Sequence, residues 1–271
     1  MTPMPDSTLS AYEEFAPLLE IERRRTVHVL TINRPDAFNA INEPLHRMLE
    51  EIWRVLREDK NVRAVVVTGA GAKAFSAGGD MGMLHRMITD LELRARQVAG
   101  ARTLFNEVIN FDKPLVCAVN GAAVGLGCTL ALLSDLMVMG ENSYLADPHV
   151  AVGLTAGDGG AAILPLLIGM MKAKEYILLG ERITAGVAKE LNLVSRVVED
   201  DKVLDEALTL AESMAALPEQ AVRSTKAAMN LHFGRAALGV LEYSLAAEYT
   251  SFSTEDFRDR INGFIARSKA K

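Results

Sequence analysis

The pattern of apolar and polar positions predicts strands alternating with helices from the start of the chain. Short apolar runs at residues 19–21 and 27–32 flank a basic turn, as in an antiparallel hairpin. Residues 43–57 place apolar side chains every three or four positions, which is typical of an amphipathic helix. Residues 62–68 are rich in β-branched side chains, which indicates a strand buried on both faces.

The alternation continues through the middle of the chain. We predict a second long helix at residues 91–111 and a second buried strand at residues 114–119. A glycine-led helix at residues 122–133 and a third strand at residues 136–139 follow. Repeated strand and helix units of this kind predict an α/β fold with a largely parallel sheet system.

From residue 184 onward the pattern becomes predominantly helical. Helices are predicted at residues 185–191, 204–216, 221–232, 238–250 and 255–269. We divide the chain into a loose N-terminal leader (residues 1–18), an α/β core (residues 19–198) and a C-terminal helical region (residues 199–271). The last region is expected to pack on the core or on another subunit.

Composition narrows the class of protein. The 271 residues are 49% hydrophobic and 24% charged, an ordinary balance for one large globular core. The formal net charge of −6 has the wrong sign for an electrostatic nucleic-acid binder. Cys117 and Cys128 are too few for a disulfide framework, and no apolar run approaches the roughly 18 residues of a membrane span. We expect a cytoplasmic protein without nucleic-acid or membrane partners.

Two glycine-containing loops are the first candidates for chemistry. Residues 73–80 and 120–128 each follow a predicted buried strand and lead into a helix. Two N–H groups pointing inward from such turns can hold a carbonyl oxygen as it becomes an oxyanion. A dinucleotide site is disfavoured, because the second loop lacks the third glycine of the G-x-G-x-x-G pattern.

Four segments together resemble the enoyl-CoA hydratase/isomerase (crotonase) superfamily. They are Asn33-Arg-Pro-Asp-Ala-Phe-Asn-Ala40, Phe75-Ser-Ala-Gly-Gly-Asp80, Lys113-Pro to Gly127, and Asp147-Pro to Gly160. The resemblance implies a crotonase-like spiral of ββα repeats with a C-terminal helical trimerisation region. It also implies an acyl-CoA substrate and self-association as a homotrimer or hexamer. Coenzyme A would belong to the substrate, so neither a separate cofactor nor a metal is expected.

The resemblance assigns the oxyanion site to two backbone amides. Carried over by position, the N–H groups of Ala77 and Leu126 are expected to bind the thioester oxygen. Leu126 stands where related proteins more often have glycine, which keeps the donor but restricts the backbone and narrows the pocket.

The expected catalytic carboxylates are replaced in this chain. The positions of the two hydratase glutamates are occupied by Thr129 and His149. Hydration needs a base that activates water and an acid that protonates the α-carbon. The Thr129 hydroxyl could position water, but its pKa is far too high for an unaided base. Standard hydration by two glutamates is therefore not expected.

Asp158 offers a replacement for the missing carboxylates. It lies at about the place where dienoyl-CoA isomerases and aromatic acyl-CoA dehalogenases of the superfamily carry an aspartate. We predict a coupled pair in which His149 titrates and Asp158 orients or charges it. The competing interpretation makes Asp158 a simple helix N-cap and His149 a hydrogen-bonded loop residue.

Three functions follow from these residues. The favoured one is an acyl-CoA enzyme that stabilises a thioester enolate and carries out isomerase-type proton transfer. The first alternative is a hydrolase or dehalogenase-type enzyme in which Asp158 attacks or His149 activates water. The second alternative is an acyl-CoA binder without catalysis.

Contacts to coenzyme A are also carried over from the resemblance. The expected residues are Ala37, Phe38, Ala40, Lys73, Ala74, Phe264, and Arg267 or Lys269. The last group could come from a neighbouring subunit. A methionine group at positions 81, 83 and 87 is expected to form a flexible apolar wall of the acyl pocket.

Overall fold

The computed structural model describes residues 12–269, with side chains up to residue 267, and its strands form two sheets. The strands are β1 (Leu19–Arg24), β2 (Val27–Ile32), β3 (Ala64–Gly69), β4 (Ala74–Ser76), β5 (Leu115–Val119), β6 (Ala122–Val124), β7 (Leu136–Gly140), β8 (Tyr144–Ala146), β9 (Arg182–Thr184) and β10 (Arg196–Val198). The larger sheet has the order β1-β2-β3-β5-β7-β10 and the smaller one β4-β6-β8-β9.

Helices surround these sheets. They are α1 (Glu43–Glu58), α2 (Met81–Arg86), α3 (Leu91–Ile109), α4 (Leu126–Leu132), α5 (Gly160–Ile168), α6 (Met170–Leu179), α7 (Ala185–Glu190), α8 (Val203–Ala215), α9 (Glu219–Ser251) and α10 (Glu255–Lys269). The α/β class and the early strands and helices are confirmed. The hairpin at the start is the antiparallel pair β1 and β2.

The chain follows the expected spiral because successive strand pairs divide between the two sheets. The pairs β3–β4, β5–β6 and β7–β8 each add one strand to the larger sheet and one to the smaller sheet. Parallel pairing stacks the repeats in register, with Val66 beside Val116 and Ala123 beside Leu145. The turns that follow β4, β6 and β8 therefore lie side by side.

Burial on both faces explains the β-branched run of β3. Val65 and Val67 pack in the cluster that contains Trp53 of α1, whereas Ala64 and Val66 pack in a second cluster with α8. Alternate side chains of a strand point to opposite faces, so a strand covered by helices on both sides is apolar throughout.

The C-terminal region agrees with its prediction in one respect and differs in another. Helix α8 lies within the predicted region 199–271 and covers the larger sheet of its own chain, which is one of the two placements expected for it. The helices predicted at 221–232 and 238–250 are one helix, α9, of 33 residues. Gly234 and Gly239 do not interrupt it, because a helical glycine costs only about 1 kcal/mol, and packing of the buried helix face offsets that cost.

Part of the predicted loose leader is packed. Residues 1–11 lie outside the described residues, but Tyr12 and Phe15 are buried in the main core. The Tyr12 hydroxyl donates a hydrogen bond to Asp59 at 2.9 Å. The expectation of a loose segment is therefore wrong for residues 12–18, because the apolar positions within it reach the core.

Several helices expose apolar side chains. The exposed set includes Leu166, Leu167, Met170, Met171, Leu178, Leu179, Met229, Leu231, Leu238, Val240 and Tyr243. A homotrimer or hexamer would give these side chains a partner, and that assembly stays a prediction. Within residues 12–269, no helix combines the length and the apolar character needed to cross a membrane.

Candidate active site

Parallel pairing of β4 and β6 brings the two glycine-containing loops into contact. Ala74 pairs with Ala122 and Ser76 with Ala123, so the turns beyond both strands meet. Gly78 has a φ of +80°, and a Cβ atom at this position would lie 2.7 Å from the Val124 carbonyl oxygen. Only a glycine allows this backbone conformation together with such a close approach.

The amide predicted at Ala77 is not available to a substrate. Its N–H donates to the Phe38 carbonyl oxygen at 3.0 Å, so that assignment is wrong. Two residues later, Gly79 lines the central cavity, and its N–H has no acceptor among the described residues. The N–H of Leu126, at the start of α4, also has no acceptor among the described residues. The structure therefore offers Gly79 and Leu126 as the amide pair.

The cavity has a volume of about 120 Å³ and lies beneath these two loops. Most of its wall is apolar. The apolar lining side chains include Met81, Met83, Leu84, Met87, Val98, Leu154 and Phe252. The methionine wall expected from the sequence is thus part of the lining. The ionisable and amide side chains that reach the cavity are His46, Gln97, His149, Asp158 and Glu248.

The predicted pairing of His149 with Asp158 is present within a larger network. His149 Nε2 lies 3.5 Å from Asp158 Oδ2, and Thr129 Oγ1 donates to Asp158 Oδ1 at 3.0 Å. His149 Nδ1 lies 2.5 Å from Asp147 Oδ1. The histidine and both aspartate side chains are at most 11% exposed. Asp147, which the sequence analysis missed as a site residue, therefore orients the imidazole.

The competing N-cap interpretation of Asp158 is wrong. Helix α5 begins after Gly159, and no side chain caps its N-terminus. The Asp158 carboxyl instead contacts Thr129 and His149. The Thr129 hydroxyl donates its hydrogen bond to Asp158 and so positions that carboxyl group.

Burial and charge together set the protonation of this network. Burial alone would lower the pKa of His149, but Asp147 and Asp158 offset it and raise that pKa well above its usual value. Burial opposes ionisation of Asp147 as well, yet the His149 charge and hydrogen bonds lower the pKa of Asp147. Burial raises the pKa of Asp158. These shifts favour an imidazolium paired with the Asp147 carboxylate, beside an Asp158 carboxyl whose proton affinity is raised by burial.

Glu248 is a third buried carboxyl at the cavity and was not predicted. Burial raises its pKa to about 8, and the charges of Asp158 and Asp147 contribute to the rise. A sequence signal existed, because Leu241, Ser244, Leu245 and Glu248 follow helical spacing along one buried face of α9. His46 and Gln97 were likewise missed, and both lie on buried helix faces that contribute to the cavity.

The expected coenzyme A contacts are brought together only in part. The Lys73 ammonium lies 5.8 Å from the centre of the exposed Phe38 ring, and Ala37 and Ala40 belong to the same loop. Ala74 is buried, and its carbonyl oxygen accepts a hydrogen bond from Asn39.

The C-terminal members of that set lie elsewhere in the fold. Phe264 and Arg267 are exposed on α10, and neither forms a hydrogen bond or ring contact with the Lys73–Phe38 pair. The side chain of Lys269 lies outside the described residues. The coenzyme A contacts therefore stay predictions.

The Asp147, His149 and Asp158 side chains also form a possible cation site. Their ligand atoms all lie within 4.8 Å of one another, close enough to share one divalent ion. To bind a cation, an imidazole nitrogen of His149 would have to contact the ion in place of one of the two aspartate carboxyl groups. The sequence-based expectation that no metal takes part stays a prediction.

The contact between the loops gives a first test. We expect Gly78→Ala to lower turnover of an acyl-CoA substrate by about 10²-fold, because the new Cβ would push the Val124–Gly125 turn and misplace one oxyanion donor. Gly186→Ala is the control, because no atom lies within 4 Å of a Cβ there. Steady-state kinetics on folded protein checks this, and wild-type turnover in Gly78→Ala would contradict the assigned amide pair.

Glu248 gives a test in pH. Its folded pKa of about 8 exceeds the ordinary 4.5, so between these values the folded state keeps a proton that the unfolded state has lost. The group therefore destabilises the fold increasingly as pH rises through this window. We therefore compare the free energy of unfolding of Glu248→Gln with that of the wild type at each pH. The variant's advantage should grow by at least ~1 kcal/mol between pH 5 and pH 8. Denaturant titrations measure this, and a pH-independent difference would contradict the shift.

Known proteins resemble the chain over nearly its whole length. Residues 22–271 match the family model for enoyl-CoA hydratase/isomerase. The short-chain-enoyl-CoA hydratase of Clostridium acetobutylicum is 34% identical over 92% of this chain and 95% of that protein. The 2,3-dehydroadipyl-CoA hydratase of Escherichia coli is also 34% identical, over 92% of this chain and 96% of its own length.

A solved structure agrees with these relatives. The crystal structure of an enoyl-CoA hydratase/isomerase from Mycobacterium paratuberculosis is 45% identical and has a TM-score of 0.89. The similarity covers 92% of this chain and 99% of that one. With the spiral fold and the two amides at the cavity, these matches show that the chain is an acyl-CoA enzyme of the enoyl-CoA hydratase/isomerase family.

Proposed function

We propose that the protein moves a double bond within an enoyl-CoA thioester by transferring one proton through Asp158. The observation that carries this proposal is the position of Asp158, which is buried at the cavity beside His149 while both hydratase glutamates are replaced. A single proton-carrying carboxyl suits isomerisation, in which the proton removed from one carbon is returned to another.

The first step removes a proton from the substrate. In its ionised form, the Asp158 carboxylate takes a proton from the carbon between the double bond and the thioester, and the electron pair moves toward the thioester oxygen. The N–H groups of Gly79 and Leu126 would hold the resulting enolate oxygen. Fixed amide donors of this kind stabilise charge that develops in the transition state without having to reorganise.

The second step returns the proton. The enolate electron pair flows back, the double bond forms in conjugation with the thioester, and the Asp158 carboxyl donates its proton to the γ-carbon. No atom is gained or lost, and no cofactor is required beyond the coenzyme A carried by the substrate. The proposal keeps the family expectation that the active form is a homotrimer or hexamer.

The surrounding residues adjust the proton affinity of Asp158. The His149 imidazolium, held by Asp147, stabilises the ionised form, and the Thr129 hydroxyl holds one carboxyl oxygen by a hydrogen bond. Burial acts in the opposite direction and raises the Asp158 pKa. A carboxyl balanced between these influences can both accept and release a proton during the reaction.

Hydration is the second candidate, because the named relatives include enoyl-CoA hydratases. It would require a group that takes a proton from water. The pKa of His149 is raised well above its usual value, since Asp147 and Asp158 outweigh the opposing effect of burial. The raised pKa favours the protonated imidazole, which cannot take a proton from water, and this favours isomerisation.

Proton NMR in D₂O tests the proposal with trans-3-hexenoyl-CoA and trans-2-hexenoyl-CoA. We expect interconversion of the two esters, with solvent deuterium entering the mobile carbons. Asp158→Asn should lower the rate by about 10²- to 10⁴-fold, because it removes the acid and base. Asp201→Asn is the matched control, because Asp201 is exposed near the surface residue Lys202.

Each alternative gives a different result in the same experiment. Formation of 3-hydroxyhexanoyl-CoA would assign hydration, and release of free coenzyme A would assign hydrolysis. A covalent adduct on Asp158, seen by mass spectrometry with an aromatic acyl-CoA, would assign nucleophilic chemistry. Wild-type rates in Asp158→Asn would contradict its catalytic role, and loss of activity in EDTA would contradict the metal-free scheme.

A further inference from the structure

Three polar side chains interrupt the apolar wall of the cavity and take no part in the proton transfer described above. They are His46 on α1, Gln97 on α3 and Glu248 on α9, each from a different helix. Their exposed fractions are 4%, 8% and 7%, so all three are more than nine-tenths buried. Polar side chains that are this deeply buried are normally hydrogen-bonded, so their partners have to be identified.

The cavity-lining groups of these side chains have no partners within the described residues. The Gln97 side chain makes no hydrogen bond, and its Oε1 atom is fully buried. No hydrogen bond or ion pair joins the Glu248 carboxyl to any described residue. His46 uses Nδ1 to contact Glu50 at 2.7 Å, and its Nε2 remains without a partner there.

Such unpaired groups are costly in a folded protein. Buried polar groups lose their hydrogen bonds to water, and nearly all of them regain bonds within the protein or with an ordered ligand. Here several unpaired groups line one cavity. The arrangement is therefore suited to a ligand that brings its own hydrogen-bonding atoms.

Helix packing holds two of these groups at the same part of the cavity. Arg94, one turn before Gln97, lies 5.4 Å from the Tyr249 ring centre and 5.7 Å from that of Phe252. Tyr249 directly follows Glu248, so the contact fixes α3 against α9 near both side chains. The amides that would hold the thioester oxygen belong to the loops, whereas Gln97 and Glu248 belong to the helical wall of the same cavity.

Charge narrows the chemical class of the ligand. Asp147, Asp158 and Glu248 already place three carboxyl groups at or beside this cavity, and His149 is the cation that faces them. His149 is already paired with Asp147, so a carboxylate on the acyl chain would be buried without a free cation among the described residues that line the cavity. A hydroxyl or oxo oxygen carries no net charge and can bond to a Gln97 amide or to a protonated Glu248.

Building on the proposed function, we propose that His46, Gln97 and Glu248 form a subsite for an uncharged oxygen on the acyl chain, a hydroxyl or an oxo group. The preferred substrates are then oxygenated acyl-CoA thioesters, whose carbon chain contacts the methionine wall while the oxygen bonds to the polar groups. A plain acyl chain would leave those groups unpaired and would bind less tightly.

Calorimetric binding of saturated esters tests the subsite without turnover. The probes are hexanoyl-CoA, its hydroxy and oxo derivatives with oxygen at carbon 4 or 5, and adipyl-CoA. We expect at least one oxygenated ester to bind wild-type protein at least ~10-fold more tightly than hexanoyl-CoA, because it pairs buried groups that the plain chain leaves unpaired. Adipyl-CoA should bind more weakly than that ester, because its terminal carboxylate would be buried without a cation to pair with it.

Variants link this preference to the named residues. Gln97→Leu and Glu248→Met should each reduce it to about 3-fold or less, because one bonding group is lost. Glu248→Gln keeps an amide donor and should keep most of the preference, which separates lost bonding from lost packing. Gln220→Leu and Glu242→Met are controls, because the Gln220 side chain donates a hydrogen bond to Ser224 and Glu242 pairs with Arg102, both at the surface.

The outcomes separate this inference from the proposed function. Equal affinities for hexanoyl-CoA and every oxygenated ester would overturn the subsite, as would tightest binding of adipyl-CoA. An oxygen preference that survives both Gln97→Leu and Glu248→Met would overturn the assignment to these residues. If the preference is found and depends on them, but no deuterium enters enoyl-CoA esters, the subsite stands and the proton-transfer function fails.

Discussion

The site depends on the balance of charge between three buried carboxyl groups and one imidazole. Asp147, Asp158 and Glu248 lie where water is largely excluded, and three full negative charges there would be prohibitively costly. The pKa values of the three carboxyl groups are therefore shifted in different directions. The pKa of Asp147 is lowered by the adjacent His149 cation, which outweighs its burial, and burial raises the pKa values of Asp158 and Glu248. One compact cluster therefore contains an ion pair, Asp147 with His149, and two acids whose pKa values are raised, Asp158 and Glu248.

The fold makes this balance possible by stacking short strands of the smaller sheet. The turns after β4 and β6 place the Gly79 and Leu126 amides at the cavity, and the segment after β8 carries Asp147 and His149. The long helix α9 adds Glu248 from the opposite direction. Since these groups come from distant parts of the chain, the same packing that stabilises the core also sets the distances between acid, base and oxyanion donors.

Sequence patterns predicted the core strands and the Asp158–His149 pairing, because these depend on local periodicity and on a recognisable motif. The prediction that the Ala77 amide binds the thioester oxygen was wrong, because this N–H donates a hydrogen bond to the Phe38 carbonyl oxygen. Residue spacing alone does not reveal such a contact between loops that are distant in sequence. Glu248 was missed because its role depends on how α9 packs against the cavity. The three-residue strands β4, β6, β8 and β9 are too short to produce a periodic signal.

The protonation of His149 is the most direct test of this charge balance. Nitrogen-15 NMR of histidine-labelled protein, assigned with His149→Gln, reports whether both ring nitrogens carry protons. We expect a doubly protonated His149 at pH 7 that titrates well above its ordinary value, because Asp147 and Asp158 outweigh its burial. A neutral imidazole at pH 7, titrating at or below about 6.5, would contradict it.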